Sequence, residues 1–311
     1  MTKIVVVGSY VVDLMCRTPH FPKPGETVLG GPFKMGPGGK GGNQATAAAR
    51  CGAQVTFITK VGQDIFGKEA LEHFQKEKMN TKFIKVDSEE PTGTALITVD
   101  KNGENSIVVA LGACGKITEA DVMEAEEVIK DANIVLLQLE TSIEAVVTSV
   151  KLAQKYNVPV ILNPAPYQEF PKEILKYISY ITPNETEAFE LSGIEVKDPQ
   201  TALEAAKKIY HMGVQSVIIT MGGQGAFLYT GEKEGKFIPS YKVEAIDTTG
   251  AGDAFNGGLA YALSKGNSII EAVQFANSVA ALSVTKIGTA PAMPYKEDIE
   301  NFLRGKGLLV P

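Results

Sequence analysis

The chain has no tryptophan, and only three cysteines and three histidines in 311 residues. Cys16, Cys51 and Cys114 are odd in number, lack metal-ligand spacing and have no partner histidine that would complete a ligand set. That excludes a disulfide framework or a zinc centre as the organising device, and reduced thiols in a cytoplasmic protein are expected. His20, His73 and His211 show neither triad nor ligand spacing and read as surface or packing residues. No apolar run approaches the ~20 residues that span a bilayer. The N-terminus, Met-Thr-Lys-Ile-Val-Val-Val-Gly-Ser, reads directly as a short buried strand ending in a turn, without the pattern of a secretory leader. A basic stripe is missing too: 30 Lys and Arg face 36 Asp and Glu, for a net charge of −6, which argues against a nucleic-acid backbone as partner.

What is present is a 44% hydrophobic content, enough to bury a sizeable core. From residue 54 onward, short β-rich runs alternate with longer helical ones, as at Val55–Lys60, Ile134–Leu139, Val158–Asn163 and Ser216–Thr220. That rhythm predicts an α/β fold of βαβ units, with a mostly parallel sheet between helical layers. Two segments break it. Leu14–Met35 carries Pro19, Pro22, Pro24 and Pro32 and no helical period, whereas Thr92–Val109 reads as two strands joined by Asp100-Lys-Asn-Gly103, a hairpin turn. Together they are expected to form a small β-sheet lid over one edge of the core. With no repeat, low-complexity tract or linker, residues 1–311 are expected to form a single domain.

Two glycine-rich loops stand out. Gly36-Pro-Gly-Gly-Lys-Gly-Gly42 precedes a helix former, Asn43-Gln-Ala-Thr-Ala-Ala-Ala-Arg50, so flexible backbone meets a helix N-terminus that can cradle a polar or anionic ligand. Residues 36–41 satisfy G-x-G-x-x-G, but the residues before them make a poor central strand and Pro37 occupies a tight-turn position, which fits a dinucleotide loop badly. A P-loop fails, since Lys40 is followed by Gly instead of Ser or Thr. A loop that merely lets the lid cross the core is the plain alternative.

Asp247-Thr-Thr-Gly-Ala-Gly-Asp253 runs into Ala254–Lys265, a helix closed by Gly266. Gly250, Ala251 and Gly252 are expected to point free amides at an anion above the helix start, where the dipole also favours negative charge. Asp253, beside those amides, is expected to stay ionised and to accept a proton from a hydroxyl. An ordinary helix cap explains one of the two aspartates, not both.

Gly38-Gly-Lys-Gly-Gly-Asn-Gln44 and Asp247-Thr-Thr-Gly-Ala-Gly-Asp-Ala-Phe-Asn-Gly257 resemble the two signature motifs of the ribokinase family of carbohydrate kinases. Gly8–Asp13, Pro24–Thr27, Gln138–Glu140, Asn163–Pro166, Thr182–Glu187 and Thr220–Gly222 resemble further family elements, in the family's order. The resemblance implies a ribokinase-like three-layer α/β/α core with a lid, and transfer of phosphate from ATP to the terminal hydroxyl of a small sugar such as ribose or 2-deoxyribose. It makes Asp253 the base and the 250–252 backbone the anion hole. Asp13, Glu140, Gly39, Lys40 and Asn43 match sugar-holding positions. Asn184 and Glu187 match an N-x-x-E element that places Mg2+ and phosphates through water, although Asn-x-x-Glu is also an ordinary capping box. Thr220, Gly222, Gly223, Gly225 and Asn277 match nucleotide-contacting positions. Asp247, Thr249, Ser283, Lys286, Gly288 and Ala292 match a site for a monovalent cation such as K+, with hard oxygen ligands. A homodimer paired through the lid is also implied.

The departure lies at Val11, where ribokinases typically carry Asn two residues before the aspartate matching Asp13. An apolar residue there resembles the deoxyribokinase branch. A kinase of another small sugar, a nicotinamide-dependent oxidoreductase using residues 36–41, and a sugar- or nucleotide-sensing regulator on a degenerate kinase fold are the competing readings. Intact Asp253, the Gly-Ala-Gly turn and Asn184 with Glu187 speak against a dead kinase.

Overall fold

The computed structural model describes residues 2–307. The strands, in chain order, are β1 (Lys3–Val7), β2 (Val11–Arg17), β3 (Phe33–Gly38), β4 (Gln54–Gly62), β5 (Ile84–Asp87), β6 (Thr92–Val99), β7 (Asn105–Gly112), β8 (Ile134–Gln138), β9 (Val160–Asn163), β10 (Tyr180–Ile181), β11 (Ser216–Thr220), β12 (Gly225–Tyr229) and β13 (Lys236–Pro239). Nine of them form one sheet in the order β13-β12-β11-β10-β9-β8-β1-β4-β5. Its pairs are parallel except at one end, where β12 runs antiparallel to both β11 and β13.

Side-chain alternation explains why these strands are apolar throughout. Val5 and Val7 of β1 enter one hydrophobic cluster with Val135, Leu137, Val160 and Leu162, while Ile4 and Val6 enter another with Ile134, Leu136 and Ile161. A parallel sheet covered on both faces needs such runs. The first cluster is roofed by helices Ile143–Lys155, Glu185–Ser192 and Pro199–Tyr210. The second is roofed by Lys40–Cys51, Ile65–Lys76, Ala251–Ser264, Ile269–Ser283 and Lys296–Gly305.

The remaining four strands form a separate sheet, β3-β2-β6-β7, mixed because β2 runs parallel to β6. Its strands reach further than the expected segments, back to Val11 and on to Gly38 and Gly112. The Pro- and Gly-rich β3 lies at its edge, where a residue without an N–H is tolerated. The Asp100–Gly103 hairpin forms as predicted: Gly103 N–H donates to Asp100 O at 3.1 Å, and the Asp100 carboxylate accepts from the Asn102 and Glu104 amides. Register places Leu14, Met35, Leu96 and Val108 opposite one another on one face, and Asp13, Gly36 and Ala95 on the other.

Candidate active site

Chain segments leaving the C-terminal ends of the parallel strands converge beside the small sheet, the usual place for a ligand in an open α/β sheet. The helix after the first glycine loop starts at Lys40, three residues before the expected Asn43, with Gly39 as its N-cap. The N-terminus of that helix already holds an anion, Glu140. Its Oε2 accepts from Lys40 N–H at 2.7 Å and from the Ser9 hydroxyl at 2.6 Å. Ser9 further accepts from Gly42 N–H through its carbonyl at 2.9 Å. Asp13, two residues past Val11 on the same strand face, accepts from the Thr289 hydroxyl at 2.8 Å. Burial foremost, with Glu140 and Asp253 nearby, pushes its pKa up to about 6 against that hydrogen bond. Val11 is buried against Ala95 and Cys114, with Ile97 and Leu111 alongside.

Asp253 sits in the first turn of helix Ala251–Ser264, 6% exposed. One carboxylate oxygen accepts from Asn43 Nδ2 at 2.9 Å and the other from Gln44 Nε2 at 3.0 Å. The sequence suggested that backbone amides would hold it ionised. Instead its partners are side chains, and burial raises its pKa even though Lys40, Gln44 and Asn43 oppose the rise. Lys40 is the cation of the cluster: burial works to lower its pKa, and Asp253, Glu140 and Glu187 together overcome that and raise it.

Gly250 caps the helix in the left-handed region, φ 77°, where a side chain would be strained. The three expected free amides are not equivalent. Ala251 N–H donates to Thr248 O at 3.2 Å, whereas the first helical bond comes from Ala254 to Gly250 O, leaving Gly252 and Asp253 in the open first turn.

Asn184 and Glu187 form a capping box on helix Glu185–Ser192, so the ordinary reading of that pair holds. Burial foremost pushes Glu187 up to about 7, against the Asn184 amide and Lys40, which lower it. Thr220 lies beside Asn184, its N–H on Pro183 O at 2.9 Å, and Gly222–Gln224 then forms a 3-10 turn into Gly225. Gly223 has open space above it. Asn277 directs its amide at the carbonyls of Ile238 and Pro239, 3.2 Å each, which ties it to β13.

The residues of the expected cation site stitch two loops together. Asp247 accepts from Thr249 N–H at 3.0 Å and Gly288 N–H at 2.9 Å. Ser283 is buried, with its hydroxyl on Ala280 O, and its carbonyl accepts from Lys286 N–H at 3.3 Å. The Lys286 amine lies 3.8 Å from Asp298, and Ala292 N–H donates to Thr289 O at 3.0 Å. No group of three or more His, Cys, Asp and Glu among the described residues could hold a metal ion. A cleft of about 400 Å³ opens between the small sheet and these loops, lined by Asp13, Met15, Ile97, Asp247, Thr249 and Thr289.

Sequence reasoning missed Ser9, Gln44, Gln138, Asn163 and Thr289 as site residues. Gln44 joins two of the others to the base: it donates to Asn163 Oδ1 at 3.0 Å and accepts from Gln138 Nε2 at 2.7 Å. Ser9, Gln44, Gln138 and Asn163 lie within the family-like stretches without having been assigned a role; nothing local marked Thr289.

The model of the pfkB family of carbohydrate kinases matches residues 1–296. A ribokinase from Haemophilus influenzae is 43% identical over 300 residues, covering 96% of this chain and 98% of its own. A deoxyribokinase from Salmonella typhi is 36% identical over 301 residues, covering 96% and 98%. A ribokinase structure from Arabidopsis thaliana, complexed with ribose and ATP, matches with a TM-score of 0.89 at 30% identity, covering 97% of this chain and 98% of that one.

Proposed function

This chain belongs to the pfkB family of carbohydrate kinases, and we propose that it transfers the terminal phosphoryl group of ATP to the 5-hydroxyl of a pentose, D-ribose or 2-deoxy-D-ribose. The observation that carries this reading is the junction at Asp253: a buried carboxylate, oriented by Asn43 and Gln44, in a helical turn whose amides at 252 and 253 are open. The carboxylate accepts the proton of the attacking hydroxyl, and a pKa raised by burial makes it a better acceptor. The open amides and Lys40 stabilise charge on the transferring group, which contributes most where the transition state is loose. Asp13 and Glu140, with Gly39, Lys40 and Asn43 at the start of the first helix, hold sugar hydroxyls. The nucleotide lies along Asn184, Glu187 and Thr220–Gly225. Asn184 and Glu187 would hold Mg2+ through water, where it would supply charge neutralisation to the phosphates; the buried carboxyl of Glu187 is a hard oxygen donor that fits such a cation.

Asp247 and Thr249, with carbonyls of Ser283, Lys286, Gly288 and Ala292, are the candidate monovalent site. Replacing K+ by a bulky organic cation at fixed Mg2+ should depress turnover, and indifference to the exchange removes the cation from the reading. The outer face of the small sheet, with Leu96 54% and Val108 64% exposed, suits pairing with a second copy, and a cytoplasmic homodimer is the expected form. Among the described residues no helix is long and apolar enough to cross a membrane.

Val11 favours 2-deoxyribose. A hydroxyl facing its methyls without a partner costs about 1–3 kcal/mol, whereas a methylene costs nothing. An apolar wall rejects an added hydroxyl by at most about 10²-fold, so ribose remains a substrate. The test is kcat/KM for both sugars, within a wider sugar panel, in wild type and Val11→Asn. A variant that does not shift the ratio toward ribose removes Val11 from the discrimination, and a wild type inactive on both pentoses overturns the proposed function.

A further inference from the structure

Helix Lys40–Cys51 begins at the cluster around Asp253 and carries in its last turn Arg50, a residue with no place in the chemistry proposed above. Arg50 is nevertheless buried, with its side chain 8% exposed, and all of its nitrogens are engaged. Nε and Nη2 form a fork on the Glu77 carboxylate at 3.1 and 2.6 Å. Nη1 points into a small nest of carbonyls, from Met293 at 2.8 Å, Ala290 at 3.2 Å and Pro291 at 3.3 Å. The ring of Tyr295 covers the guanidinium, with its centroid 4.4 Å from Cζ.

The segment so gripped bridges the two halves of the site. Thr289, one residue before the nest, donates to Asp13; Gly288 donates to Asp247, whose other oxygen accepts from Thr249 at the entrance to the open turn. We propose that Arg50 is a positioning residue: by clamping the carbonyls of 290–293 it holds Thr289 against Asp13, and so sets the sugar-holding carboxylate from a distance. Only a planar fork with five donors can serve Glu77 and the carbonyls at once; an ammonium group is a point charge with one direction of reach.

The proposal rests on the pentose-kinase reading, and two measurements separate the fates of the two. In Arg50→Lys, with D-ribose and MgATP as probes, KM for the sugar should rise about tenfold while KM for ATP holds, the scale of one charge-assisted hydrogen bond lost. Thr289→Val should give a similar rise, and the double variant should be no worse than the larger single, because both act through one contact. Independent multiplication of the two effects, or a lowered Tm with an unchanged sugar KM, overturns the proposal. Hydrogen exchange needs no substrate: Arg50→Lys should speed exchange of the amides across 286–293 in the free protein, and unchanged exchange there overturns the clamp even if no pentose is phosphorylated. If Arg50→Lys does not fold, Arg50→Gln goes through the same measurements with the same expected directions.

Discussion

Two glycine-bearing loops, Gly36–Gly42 and Thr248–Asp253, meet helix N-termini a short distance apart and use their glycines in opposite ways. In the first, the amides are spent inside the protein: Lys40 N–H on Glu140, Gly42 N–H on Ser9 O, Asn43 N–H on Gly39 O. A methyl group at Gly41 would fall 2.7 Å from backbone atoms of Gly8 and Ser9. In the second, a methyl at Gly252 would meet nothing within 4 Å, and the first turn keeps amides open. One loop therefore brings backbones together and aims the protein's own carboxylates; the other leaves room for an anion that comes and goes. Glycine content alone does not distinguish these uses, because both follow from the missing Cβ.

The largest blow to the comparison falls where the loops touch, at Asp253. Asp253→Asn should lower kcat by roughly 10²–10⁴, the usual contribution of a general base, while binding of ATP and sugar persists. Folding should tolerate the change for a specific reason. The new amide would face the Asn43 donor, but Asn43 Oδ1 is buried with no hydrogen-bond partner, so a flip of the Asn43 amide restores a matched pair. Retention of more than about a tenth of wild-type turnover would deny Asp253 the role of base.

A paired substitution then separates the loops. Gly41→Ala should cost about 1–3 kcal/mol of stability, because backbone must move to admit the methyl. Gly252→Ala should leave the unfolding midpoint unchanged or slightly higher, as for any helical Gly to Ala change in open space, yet reduce kcat by placing a methyl beside the open amides. Thermal unfolding and turnover measured on both variants give the contrast. Equal losses of stability would mean that the two loops are built alike.

How much of this was legible beforehand follows from the range of each interaction. Strand runs, the hairpin at Asp100 and the capping box at Asn184 depend on neighbours a few residues away, and the sequence displays them. The start of the first helix was misjudged because Lys40-Gly-Gly reads as loop, and only the packing of Gly41 on Ser9 makes helix there worthwhile. Ser9, Thr289 and Arg50 were invisible in their roles, since the Glu140, Asp13 and 290–293 carbonyl groups they bind lie 131, 276 and 240 or more residues away and a lone Ser, Thr or Arg carries no spacing signal. The same holds for the ionisation of Asp253: an amide-rich turn suggested a stabilised anion, while the burial that opposes it comes from elements the turn does not contain.

The smallest expected effect tests the acids held between the two loops. Burial raises Asp13 from 3.8 to about 6 and Glu187 from 4.5 to about 7, so the fold without ligands favours the protonated form of each more than the unfolded chain does. For an acid whose pKa is raised in the folded state, the stabilising contribution is complete below the unfolded pKa and disappears as pH climbs through the folded one. The window accordingly runs from about pH 4 to about pH 7, and the ligand-free protein should be less stable at pH 8 than at pH 5. Surface acids such as Asp87, Asp131 and Asp198 shift the other way, held low by the Glu90 amide, the Lys3 amine and the Thr201 amide respectively. Their contribution is lost only as pH falls below the ordinary carboxylate range, so it does not mask the trend above pH 5. A fall in Tm of roughly 2–4 °C per kcal/mol is the expected scale for a chain somewhat smaller than this one. Glu187→Gln separates the cause: Gln keeps the capping-box acceptor for the Asn184 amide but cannot ionise, and should flatten the decline between pH 5 and 8. A wild-type Tm that holds or rises across that interval, or a variant that declines as steeply, would show that these carboxyls are charged in the free protein and that the cation at Lys40 already neutralises the space between the loops.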